Sequence, residues 1–101
     1  MDYKYLASQL GFDESEFMEF VELFVETSLS DLDKIRQGLA AQDLPAVAAA
    51  SHSIKGAAGN LGFEELAALA LEMEMAAKQG NAEGFDRYAA KLETWIKELE
   101  T

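Results

Sequence analysis

The chain holds one histidine, His52, in the stretch ASHSIKGAAGNLGF at residues 50–63. Lys55 and Gly56 follow it directly in helical register, and Gly59 comes one turn later. A glycine inside a helix costs about 1 kcal/mol relative to alanine. Two of them beside one imidazole mark a face that something else must approach closely. An imidazole can act as metal ligand, as base or as nucleophile. A metal site needs several ligands, and the chain has no second histidine and no cysteine. The Glu-x-x-His pattern of di-iron bundles would require glutamate at position 49, where alanine stands. Acyl transfer requires a nucleophile, an orienting acid and an oxyanion hole. Ser51 and Ser53 adjoin His52 in sequence but leave a helix in other directions. The imidazole as nucleophile fits best.

Projection at roughly 100° per residue supports that choice. With His52 at zero, Val47, Ala50, Ile54, Ala57, Ala58 and Leu61 gather on the opposite side as a core stripe. Ala48, Ala49, Lys55, Gly56 and Gly59 fall within about 60° of the imidazole. His52 is therefore expected to point outward, flanked by one ammonium and a strip of small residues. Lys55, three places on, shares its face. Its charge would keep a lone pair on the ring available and could pair with the oxygens of a phosphoryl group. Helix–helix packing, the usual reason for glycine in a helix, would require Gly56 and Gly59 on the buried side, and they project to the other one.

The elements that must hold this face read as helices throughout. Proline occurs once and strand formers are scarce. A short helix is expected at about 3–9, ended by Gly11. The second should span about 13–41, opened by Asp13 and Glu16 in capping-box spacing, with Phe12 and Phe17 at the positions of a hydrophobic staple. Its apolar stripe is Phe17, Phe20, Val21, Phe24, Ser28, Leu32, Ile35 and Leu39. The third, at about 43–61, has Asp43 as N-cap, Pro45 in its first turn and Gly62 past its end. The fourth, at about 63–79, carries Leu66, Leu69, Ala70, Met73 and Ala77, with Gly80 as its stop. The fifth, at about 81–100, starts from Asn81 as cap and carries Phe85, Tyr88, Ala89, Leu92, Trp95, Ile96 and Leu99. Short connections make consecutive helices antiparallel neighbours. The expected fold is all-α: one domain over 1–101, an up-down-up-down four-helix bundle with a small extra N-terminal helix.

Composition narrows the partners. A net charge of −11 argues against nucleic acid, which needs a basic footprint, and against anionic membrane surfaces. There is no secretory signal pattern at the start, and no apolar run long enough to span a bilayer. A cytoplasmic location is expected, and the lack of cysteine suits a reducing compartment.

The run HSIKGAAGNLGFEELAALALEME resembles the signature of histidine-containing phosphotransfer (HPt) domains. The matching residues are His52, Lys55, Gly56, Gly62, Leu66 and the pair Leu71–Glu72, and the likeness in helix order extends over nearly the whole chain. The resemblance implies a monomeric phosphorelay intermediate without kinase activity of its own. His52 would accept a phosphoryl group, through Nε2, from the aspartyl phosphate of a receiver domain and pass it to another receiver's aspartate. Lys55 would stabilise that group, and Gly56 and Gly59 would give the partner's loops room. The implied partners are response-regulator receivers and a hybrid sensor histidine kinase. Mg²⁺ would sit on the receiver, with no cofactor or metal on this domain. Some members carry glutamine twenty-two places after the histidine, and this chain has Glu74 there. Its carboxylate could accept from Nδ1–H and orient the imidazole, but it would also repel a phosphoryl group. The plainer reading of Glu74 is a solvated charge on a helix face. Two alternatives stay open: a phosphotransfer fragment of a hybrid or chemotaxis-type kinase, and a helical interaction module that is never phosphorylated.

Overall fold

A computed structural model describes residues 2–100. It is built of α1 (Tyr3–Leu10), α2 (Glu14–Ala40), α3 (Leu44–Asn60), α4 (Glu64–Lys78) and α5 (Phe85–Glu98), with no strand among the described residues. Positions 1 and 101 of the expected domain lie outside them.

Local chemistry sets most boundaries. Asp2 caps α1 by accepting from the Tyr5 N–H, and Gly11 ends it in the left-handed region at φ 80°. A left-handed residue there is readily glycine because a Cβ is disfavoured. Asp13 and Glu16 form the reciprocal capping box: Glu16 N–H donates to Asp13 at 2.8 Å and Asp13 N–H donates to Glu16 at 3.3 Å. Asp43 accepts from the Ala46 N–H and opens α3, with Pro45 in the first turn. The start of α5 and the face of Phe20 differ from the sequence reading. α5 begins at Phe85, not near position 81. Asn81 is spent on a turn, accepting from the Glu83 N–H, and Gly84 at φ 82° precedes the helix. A left-handed residue cannot continue a right-handed helix, so the regular turns start only after it. Phe20 is exposed rather than in the stripe, and its ring lies 5.0 Å from that of Phe12. Phe12 is thereby drawn toward Phe20, while Phe17 goes fully into the core.

α3 touches both α2 and α4, α5 touches both α2 and α4, and α1 lies on α2. This placement explains why the buried arc of α3 is wider than the projected stripe. Val47, Ala50, Ile54 and Ala58 are buried as expected, Ala57 and Leu61 only partly so. Ala48, expected beside His52, is buried as well, because neighbours on both flanks of α3 cover its edges. The buried side chains form one core cluster drawn from all five helices and from Phe63 in the α3–α4 connection. At one end Phe63 packs its ring against Tyr3, Phe17 and Phe24 with centroids 5.4–6.5 Å apart. Edge and tilted ring contacts of this kind add to plain area burial. Near the α2–α3 connection, Gly38 stands in place of a side chain. A Cβ there would lie 2.8 Å from Val47 Cγ2 and 3.2 Å from the Asp43 carbonyl oxygen.

Candidate functional site

α3 carries His52, Lys55, Gly56 and Gly59 in the middle of the bundle's side, and α4 supplies Glu74 and Lys78 from the adjoining helix. The His52 side chain is 64% exposed. Its Nδ1 lies 3.0 Å from Glu74 Oε2. The Glu74 side chain, by contrast, is only 5% exposed, so the solvated reading of this carboxylate is overturned. Residue 74 lies on the edge of α4 that α3 covers, and a helical wheel of α4 alone does not reveal that cover.

A carboxylate removed from water must be paired. Glu74 has three partners: Lys78 Nζ at 3.0 Å from Oε2, Lys55 Nζ at 3.1 Å from Oε1, and the imidazole. Lys78 is the strongest cause holding its carboxyl down, followed by Lys55 and then His52, against burial, which pushes the other way. The net result is a shift from 4.5 to about 2. Glu74 is thus ionised at neutral pH and can only accept hydrogen bonds. The contact therefore puts the ring proton of neutral His52 on Nδ1, where it donates to Glu74, and leaves the Nε2 lone pair free.

The strip beside the ring is open. A Cβ built on Gly56 or on Gly59 would meet no atom within 4 Å. These glycines therefore do nothing for packing within this chain, in contrast to Gly38. On the other side of His52 lies a shallow hollow lined by Pro45, Ala48, Ala49, Ala77 and Lys78. The neighbouring serines are engaged elsewhere. Ser51 is buried and donates to the Val47 carbonyl at 2.8 Å, and Ser53 donates to Asp31 at 2.7 Å. Neither hydroxyl is presented to the imidazole.

Exposed apolar side chains stand on both helices that neighbour α3. Asp31 meets Ser53 and Phe24 meets Phe63, so α2 borders the C-terminal half of α3. Leu23, 60% exposed, and Phe20 lie on α2 beyond that stretch, where the Phe20 ring meets Phe12. On α4, Leu71 and Met75 are exposed next to Glu74.

His52, Lys55, Gly56, Gly59 and Glu74, all singled out in the sequence, thus come together at one place. Lys78 was missed. Its signal was the Glu74-to-Lys78 spacing of four, which puts both on one helix face, but such pairs are common on any solvated helix.

Among known families, the Hpt domain model matches residues 19–101, which leaves α1 outside the match. No curated protein and no solved structure matches the chain.

Proposed function

Because the chain belongs to the Hpt domain family, a family of phosphotransfer modules of two-component signalling, we propose that His52 is its phosphoryl carrier. In this reading Nε2 takes the group from a receiver's aspartyl phosphate and returns it to the aspartate of another receiver. The observation that carries it is the exposed ring of His52 held at Nδ1 by the buried Glu74 carboxylate.

The Nε2 lone pair attacks phosphorus, a bond from nitrogen to phosphorus forms, and the bond from phosphorus to the receiver's carboxylate oxygen breaks. The departing aspartate carries its negative charge away. The ring keeps the Nδ1 proton and becomes positive. Glu74 lies against that proton and favours the charged ring in the transition state, a fixed charge placed where charge develops. Lys55 stands by to neutralise phosphoryl oxygens. Mg²⁺, in this scheme, belongs to the receiver's side of the complex.

Gly56 and Gly59 leave room for the receiver's loops, and Leu71 and Met75, exposed next to Glu74, offer apolar contact. Charge complementarity at such a face favours a specific, reversible encounter. The acidic balance of the whole chain then selects receivers with a basic docking rim. The three-residue connections at 41–43 and 61–63 support an antiparallel up-down arrangement of α2, α3 and α4. A monomer in the cytoplasm, without kinase activity of its own, completes the reading.

The test uses phosphorylated receivers from the source genome with wild type and with His52→Gln. The wild type should take the label from at least one receiver. The variant should take none while still binding that receiver. If the wild type binds but never carries phosphate, the chain is an interaction module instead.

A further inference from the structure

We propose that Lys78 is a second phosphoryl-binding cation of this site, held by Glu74 until His52 is phosphorylated and then transferred to the phosphoryl oxygens. The inference rests on the phosphotransfer reading above and adds a residue that the sequence pattern did not supply.

Three observations lead to it. The first is reach. Lys78 Nζ and His52 Nδ1 both lie 3.0 Å from the same oxygen, Glu74 Oε2, so they are separated by at most twice that distance. Lys78 also lines the hollow beside the imidazole, on the side away from Gly56. The second is mobility. The Lys78 side chain is 66% exposed and that of Lys55 is 31% exposed. Lys78 shares Oε2 with the imidazole, whereas Lys55 faces Oε1. An exposed ammonium on a four-carbon stem exchanges partners at small cost.

The third is charge. Before transfer, the Glu74 carboxylate faces two ammonium groups, so the cluster around the neutral ring carries one excess positive charge. A phosphoryl group brings about two negative charges, and the ring gains one positive charge on being phosphorylated. With Lys55 and Glu74 alone the loaded site would hold one net negative charge. With Lys78 it is neutral. The repulsion that a carboxylate next to a phosphoryl group would otherwise cause is thereby offset by a cation that the same carboxylate had kept in place. No bond is made or broken at Lys78; it exchanges one ion-pair partner for another.

The experiment measures the equilibrium between phosphohistidine on this chain and phosphoaspartate on a receiver that labels the wild type. Lys78→Met keeps the aliphatic stem and removes the charge; Lys78→Arg keeps the charge. The Met variant is expected to move the equilibrium about 5-fold toward the receiver, and the Arg variant to restore most of it. In the wild type, the ammonium ¹H–¹⁵N resonance of Lys78 should shift when His52 is phosphorylated. A wild type that never takes phosphate overturns the phosphotransfer reading. A wild type that takes it, with the Met equilibrium equal to wild type or the Lys78 resonance unmoved, overturns the role of Lys78 alone.

Discussion

Glu74 shows how much one side chain depends on its neighbours. On the sequence it was one acidic residue among nineteen Asp and Glu. Its burial between α3 and α4 changes it into the group that fixes the tautomer of His52 and holds two lysines. The outward direction of His52, its lysine neighbour and the bare glycines were legible because all of them lie on α3, within two helical turns. Glu74 and Lys78 were not, because their role depends on which edge of α4 faces α3. The depressed carboxyl makes a pH prediction. Its folded value lies below its unfolded one, so its contribution to stability is fully present above about 4.5 and disappears as pH falls toward about 2. Thermal melts of wild type and Glu74→Gln should differ by a constant amount at neutral pH. The gap should close between pH 4.5 and 2. A gap that persists unchanged at the acid end would mean that the ion pairs do not stabilise the fold.

At the scale of the helices, two glycines make opposite predictions. Gly56 is interior to α3 and a Cβ there touches nothing, so Gly56→Ala should stabilise the helix by about 1 kcal/mol. For a domain of this size that is a rise in Tm of about 4–8 °C, while the rate of phosphotransfer from a receiver should fall. Gly38→Ala drives a methyl group toward Val47 and the Asp43 carbonyl and should destabilise by about 1–3 kcal/mol without touching the His52 face. Calorimetry on the two variants, paired with transfer rates, separates a glycine kept for a partner from one kept for packing. Helix starts were legible wherever a side chain caps them, as Asp2, Asp13 and Asp43 do. The start of α5 was not, because Asn81 offers the same acceptor to a turn as to a helix, and Gly84 decides between them by its backbone alone.

For the molecule as a whole, the periodic stripes identified the core well, since Phe17, Ile54, Met73, Leu92 and Ile96 are all fully buried. The aromatic cluster around Phe63 was hidden, because its members come from α1, α2 and the α3–α4 connection. Phe63→Ala should cost about 3–5 kcal/mol, a large share of the 5–15 kcal/mol typical of a small domain, and denaturant unfolding would measure it. No described helix is long and apolar enough to cross a membrane.

The Tyr3 hydroxyl donates to the Leu99 carbonyl oxygen at 3.3 Å, ninety-six residues away. The start of α1 and the end of α5 therefore lie close together. A circularly permuted gene, with a short peptide sewn between these two points and new ends cut in the exposed segment at 81–84, would keep every helix against its present neighbours. Such a rewired chain would also free the region around Tyr3 and Leu99 from carrying any fused reporter, and place that cargo at the α4–α5 turn instead.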